Sequence, residues 1–211
     1  MTRKNLFIAL EGIDGSGKST QTKLLTEQLS NRGYKVYSTF EPTNNQIGKL
    51  IRDILKGNAR ADHRVIAGLF VADRLDHLLN EDYGIVKKLE EGYTVITDRY
   101  LFSSYAYQGA HMNIDWVIQA NAMAAEILRP DVNIFIDVAP EVSMHRVHTN
   151  RENVELFETL DSLKLVRSKY MEAFEKAGSA ENVYSVDGNR SPDLIAHDIW
   201  QKVQSMLGRD K

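Results

Sequence analysis

Apolar positions along this chain follow two alternating rhythms. Short apolar runs at 6–10, 35–40, 94–97, 133–138 and 183–186 read as buried or half-buried strands. Between them lie longer stretches in which apolar residues recur three and four positions apart, the spacing of a helix with one buried face. That spacing predicts helices over 19–31, 46–55, 62–80, 83–91, 114–126, 140–148, 156–177 and 192–206. Strands separated by helices need crossover connections, which are right-handed and give a parallel sheet covered on both faces. The expected fold class is α/β: a three-layer α/β/α domain with a five-stranded parallel sheet. Ligands of such sheets gather at the carboxyl ends of the strands.

Composition narrows the picture. A chain of 211 residues with 43% hydrophobic content, without repeats, low-complexity segments or Pro/Gly/Ser-rich linkers, predicts a single domain over 1–211. A formal net charge of −3 supplies no basic field, which argues against nucleic acid as a main partner. The absence of cysteine excludes disulfides, thiolate metal sites and cysteine nucleophiles. No apolar run approaches the roughly eighteen residues of a membrane span, and the chain opens on a strand rather than a secretory leader. These features predict a cytoplasmic protein with no membrane partner.

The chemistry starts at the end of the first strand. Gly12-Ile13-Asp14-Gly15-Ser16-Gly17-Lys18-Ser19 fits the pattern G-x-x-x-x-G-K-[ST], followed by Thr20. Glycines let backbone N–H groups converge on phosphate oxygens. Lys18 brings a mobile positive charge to the β- and γ-phosphates, and the Ser19 hydroxyl can ligate Mg²⁺. Leu24, Leu25 and Leu29 place a helix directly after the loop, so its dipole also favours an anion. The expected domain is therefore a P-loop NTPase whose ATP site comprises Gly12 to Thr20. Two other strands end in Glu41-Pro42-Thr43 and Asp98-Arg99-Tyr100. Asp98 there could hold Mg²⁺ through water or hydrogen-bond to Ser19, and Arg99 could face a second phosphate. By residue type alone, the Asp-Arg pair also suits a surface turn.

From Phe7 to Gln21 the chain resembles the opening of the thymidylate kinases, the dTMP kinase family. The resemblance continues through Glu41-Pro42-Thr43, Ile47 to Arg52, Phe70-Val71-Ala72-Asp73-Arg74, Asp98 to Gly109 and Leu128-Arg129-Pro130-Asp131, in family order over nearly the whole chain. It implies transfer of the γ-phosphoryl group of ATP to dTMP with Mg²⁺, giving dTDP and ADP, and a mobile lid at about 145–158. It also implies a homodimer, for which Val65, Ile66, Leu69 and Leu78 are a candidate apolar face; the same stripe could equally be buried within one chain.

The resemblance also assigns roles. Asp14 matches a carboxylate that contacts the acceptor's 3′-hydroxyl, although it could instead cap the following helix. Phe70 matches the aromatic that stacks on thymine, and Arg74 the arginine that meets the base edge. Their i, i+4 spacing puts both on one helix face, where residue type alone would make Phe70 core and Arg74 a solvated charge. Arg52 and Arg99 match arginines that grip the acceptor phosphate. Ser104, Tyr107 and Gln108 match residues lining the deoxyribose and base pocket. The implied catalytic set is Lys18, Asp98, Arg99 and Arg151. Some relatives carry an arginine where this chain has Gly15, so the missing cation is expected from the lid: Arg151 on the transferring phosphate, with Arg146 stacked on adenine. The loop 187–190 is a further candidate contact for adenine.

Two departures remove possible cations: Phe40 and Leu156 stand where many relatives have arginine. Other residues carry less. His145 and His148 lack a third ligand at metal-site spacing and read as helix surface. Trp116 and Trp200 read as packing residues, and Glu90 and Glu91 as solvent-facing. Two rival functions remain at this stage. A kinase for another nucleoside monophosphate or a nucleoside would want a different polar edge beside Phe70. A GTPase-type switch would want Asn-Lys-x-Asp, which does not occur.

Overall fold

Strand β1 (Phe7–Glu11) has both faces buried, and its side chains sort by parity. Phe7 and Ala9 enter one hydrophobic core, while Leu6, Ile8 and Leu10 enter another on the opposite face of the sheet. A strand buried on both sides belongs at the centre, and each large apolar side chain so buried contributes about 1.5–3 kcal/mol. In the computed structural model, which describes residues 5–150, 159–178 and 181–207, β1 indeed lies centrally. It pairs in parallel with β3 (Thr94–Asp98) and β4 (Val132–Asp137), while β2 (Val36–Phe40) and β5 (Val183–Asp187) form the edges. The order is β2-β3-β1-β4-β5, all parallel. The chain therefore reverses its direction of winding next to β1, and the carboxyl end of β1 opens at that switch point.

Helices cover both faces. α1 (Lys18–Ser30) and α10 (Pro192–Leu207) close one side through Leu25, Leu29, Ile195, Ile199, Trp200 and Val203. The other side is closed by α3 (His63–Leu79), α5 (Leu101–Tyr107), α6 (Ile114–Ala120), α7 (Ala122–Ile127) and α9 (Leu160–Ala177). α2 (Gln46–Leu55) packs on α3, α4 (Ile85–Glu90) precedes β3, and α8 (Pro140–Asn150) follows β4.

Several sequence expectations change here. α5 has no counterpart among the helices predicted by periodicity, because all seven of its residues are buried and it has no polar face to generate a period. The helix expected over 114–126 is interrupted at Asn121, whose side chain turns inward to bond with Arg74 and the Val117 carbonyl. Trp200 packs in the core as expected, but Trp116 is 48% exposed. Ile66 and Leu78 lie inside the fold, leaving Val65 and Leu79 as the exposed large apolar residues of α3. Most of the expected lid, from 151 to 158 and including Arg151, lies outside the described residues.

Candidate active site

The phosphate loop takes its shape from the backbone. Gly17, with φ 99°, caps α1 in a left-handed conformation, and no side chain bonds to the first turn of that helix. The N-terminal N–H groups of α1 therefore open toward the cavity with their partial positive charge. Gly15, with φ 74°, lies directly beneath α8. A Cβ there would stand 2.6 Å from the Ser143 carbonyl oxygen and 3.0 Å from Val147. No arginine fits at this position with α8 in place, which gives the departure noted at Gly15 a steric cause. Ser143 also donates to the Asp14 carbonyl, so α8 is fastened to the loop.

Lys18 is buried, and its ammonium donates to the carbonyls of Gly12 and Ile13 at 3.0 Å each. Burial, helped by the nearby Arg99 charge, pulls its pKa down to about 8, against the opposing pull of Asp98, Asp14 and Glu11. Gly12 and Ile13 thus contribute through their backbone oxygens. Asp14, Gly15, Ser16, Gly17, Lys18, Ser19 and Thr20 line a cavity of about 980 Å³. On its lining the Ser19 hydroxyl donates to Asp98 Oδ2 at 2.8 Å, one of the two arrangements the sequence offered for Asp98. Among the described residues no group of three or more His, Cys, Asp or Glu forms a ready-made metal cage. A hydroxyl and one carboxylate do suit Mg²⁺, which takes few protein ligands and completes its shell with phosphate oxygens and water.

Arg99 follows β3 with φ 75°, the one non-glycine residue in the left-handed region among those described. The turn aims its guanidinium back at the phosphate loop. There it pairs with Asp14 Oδ1, donates to the Tyr107 hydroxyl (3.2 Å) and Ser103 Oγ (3.2 Å), and lies 4.7 Å above the Tyr107 ring. Tyr107 in turn donates to Asp14 Oδ2 at 2.8 Å. Asp14 therefore joins the loop to α5 rather than capping α1.

Phe70, Arg74, Ser104, Tyr107 and Gln108 all line the same cavity, with Phe40 and Pro42 at its margin. Arg74, expected at a base edge, is committed to partners within the protein. It is 1% exposed, and all five of its N–H groups are engaged within the protein. Nε and Nη2 bond to Glu41 Oε2 at 3.0 and 2.6 Å, Nη2 also to the Tyr100 carbonyl (2.9 Å), and Nη1 to Ser104 Oγ (2.9 Å) and Asn121. His77 Nδ1 lies 3.1 Å from Glu41 Oε1 and its Nε2 lies 2.7 Å from Thr39 Oγ1. Burial pushes the Glu41 carboxyl up, but Arg74 and His77 reverse this and hold it below its ordinary value. Gln108 shows the opposite condition: its Oε1 is buried and accepts no hydrogen bond.

Arg52 does not line the cavity. It donates to the carbonyls of Pro42 and Thr43, while Asp73 receives the Thr43 amide (2.8 Å) and hydroxyl (2.6 Å) from the other side. Together they clamp the 41–43 turn that carries Glu41. Arg146 and Arg190 line the cavity near the loop, Arg190 paired with Asp198. His145 and His148 are exposed on α8.

Sequence reasoning missed the buried polar residues beneath the site: Glu11, Asp73, His77, Ser103, Asn121, Ser143 and Tyr170. Of these, Glu11 alone carries a local signal that could have been read, a charge directly after an apolar run.

Fold and site together define a phosphate-loop phosphotransferase: a nucleotide-binding loop facing, within one cavity, a second pocket with its own arginine. The chain matches the family model for thymidylate kinase over residues 10–199. It is 36% identical over 214 residues to a probable thymidylate kinase of Thermococcus kodakarensis, covering 97% of this chain and 100% of that one. It is 39% identical to one of Pyrobaculum aerophilum (95% and 97% covered), and 35% identical to a thymidylate kinase of Leptospira borgpetersenii (94% and 93%). The chain belongs to the thymidylate kinase family and is a phosphotransferase.

Proposed function

We propose that this enzyme transfers the γ-phosphoryl group of ATP to dTMP, giving dTDP and ADP on the way to dTTP. The observation that carries the reading is the single cavity in which the phosphate loop, Arg99 and the Phe70–Tyr107–Gln108 wall meet, joined by the Arg99–Asp14 contact. The acceptor phosphate is already anionic and needs no strong base. The work of the protein is alignment of two phosphates and neutralisation of the charge that spreads between them.

In this reading Lys18 leaves the loop carbonyls for the β- and γ-phosphates, and Arg99 turns from Asp14 to the acceptor phosphate. Ser19 and Asp98 would hold Mg²⁺, which would offset phosphate charge when bound. Phe70 offers a ring face for the base, and Tyr107 crowds the sugar on the side where a ribose carries its extra hydroxyl. Gln108 Oε1, an acceptor without a donor, suits the N3–H of thymine; cytosine presents an acceptor at N3 and would meet it unfavourably. Arg74 can reach the base only by exchanging a present partner such as the Ser104 hydroxyl. Arg146, beside the loop, is assigned to adenine and Arg151 to the transferring phosphate; Arg52 acts through the 41–43 turn rather than by direct grip. The acceptor's reading predicts a ranking. ADP release with ATP and Mg²⁺ should be fastest with dTMP, and kcat/KM for dCMP should fall by at least about 10²-fold. Equal turnover of dCMP, dGMP or AMP would reject the base assignment while keeping the phosphate chemistry.

A homodimer in the cytoplasm completes the proposal. Among the described residues no helix is long and apolar enough to cross a membrane. Val65, Leu79, Trp116, Met123 and Ile127, five of nine exposed large apolar residues described, fall on α3 and on α6 and α7 packed beside it. Gly68 and Ala72 are also exposed on α3, giving a face flat enough for close helix packing. Sedimentation equilibrium is expected to give twice the chain mass, and Met123→Glu to shift the population to single chains. A wild-type monomer at micromolar concentration would remove this part of the proposal.

A further inference from the structure

We propose that Glu11 is a positioning residue for the acceptor phosphate: its carboxylate, buried one residue ahead of the phosphate loop, holds the left-handed turn from which Arg99 reaches the cavity. The inference rests on the reading that Arg99 grips that phosphate. A non-glycine residue at φ 75° is strained and persists only where its surroundings fix it. Three bonds fix this one. The Arg99 amide donates to the Leu10 carbonyl (2.9 Å), Thr97 Oγ1 donates to the Arg99 carbonyl (2.9 Å), and the following Tyr100 amide donates to Glu11 Oε1 (3.0 Å). The second oxygen of Glu11 works on the other end of the arginine. It accepts from Ser103 Oγ at 2.6 Å and from the Tyr170 hydroxyl at 3.1 Å, and Ser103 Oγ accepts from Arg99 Nη1. One carboxylate thus sets both the backbone and the guanidinium of Arg99.

The cost of placing it there is high. Glu11 has no exposed surface, and burial drives its carboxyl above the ordinary range against the hydrogen bonds from Ser103 and Tyr170. An apolar side chain would pack into β1 more cheaply, as its other four positions do. Glu11 does not line the cavity, so it acts through Arg99 rather than on a nucleotide.

Reach and charge can be separated. Glu11→Asp keeps the charge but withdraws the acceptor by one methylene; Glu11→Gln keeps the reach and drops the charge, and the two hydroxyls can rotate to accept from its amide. On full-length folded protein, checked by its unfolding midpoint, Glu11→Asp is expected to raise the KM for dTMP by about tenfold, with the Kd for ATP alone within twofold of wild type. Glu11→Gln should restore the dTMP KM to within about threefold. An unchanged dTMP KM in Glu11→Asp overturns the proposal. So does equal damage in both variants accompanied by weakened ATP binding, which would make Glu11 a support for the loop as a whole. Arg99→Met in parallel separates the two layers: if it leaves the dTMP KM unchanged, the acceptor reading itself falls, and if it raises that KM while Glu11→Asp does not, only the role of Glu11 falls.

Discussion

Lys18→Met is expected to lower turnover by roughly 10³-fold or more, equivalent to about 4 kcal/mol of transition-state stabilisation. The size follows from where the charge sits. The ammonium is buried, held by two loop carbonyl oxygens and disfavoured by burial and Arg99 despite Asp98, Asp14 and Glu11, so a triphosphate is the partner that best satisfies its charge. Methionine fills nearly the same volume, so the fold should survive. A second signature is independent of chemistry. With a pKa of about 8 Lys18 is substantially deprotonated at pH 8.5, whereas beside a triphosphate its charged form is favoured. ATP binding at pH 8.5 should therefore take up a fraction of a proton, seen as a dependence of the binding enthalpy on buffer ionisation heat, and Lys18→Met should abolish it. The sign carries over to stability. The unfolded chain holds this proton up to the ordinary value of 10.5, so the enzyme should gain stability from Lys18 as pH rises from about 8 to 10.5. Undiminished proton uptake in the variant would show that another group titrates.

The sheet and the phosphate loop were legible in the chain because both rest on local rules. Parity of apolar residues marks a strand buried on two faces, and glycine spacing marks a loop that must approach phosphate. The Ser19–Asp98 bond was anticipated because two strand ends of a parallel sheet face one another. What stayed hidden depends on contacts across long stretches of sequence. α5 has no polar face, so its period vanishes. Asn121 looked like an ordinary helical position, yet breaks a helix to reach Arg74. Tyr170 lies 158 residues from Gly12, to which its hydroxyl bonds at 3.3 Å, and nothing in its neighbourhood along the chain signals that contact. Arg74 is the sharpest case. Its residue type suggested solvent and the family suggested the base, while the folded chain uses every one of its donors internally.

That use sets the second large effect. Arg74→Met is expected to remove about 3–5 kcal/mol of folding stability at pH 7, because it leaves the Glu41 carboxylate buried with only His77 at hand. Ser104, Asn121 and the Tyr100 carbonyl each lose a donor as well, and exposed substitutions seldom approach such a value. The pH dependence gives the mechanism its own check. In the wild type the folded pKa of Glu41 is depressed below 4.5, so the pair stabilises fully above that value and loses its effect as pH falls through the folded pKa. Without Arg74, burial dominates and the same carboxyl should rise above 4.5. The folded variant then binds the extra proton, and its stability should increase as pH drops from 7 toward 5. Urea unfolding at the two pH values should therefore show the gap between wild type and variant narrowing in acid. Adding Glu41→Gln to Arg74→Met should recover part of the loss at pH 7, since a neutral amide is far cheaper to bury than an unpaired charge. A gap below 1 kcal/mol, or one that does not change with pH, would mean that Glu41 finds water or another cation once Arg74 is gone. The network would then be an arrangement of the pocket wall rather than a foundation of the fold.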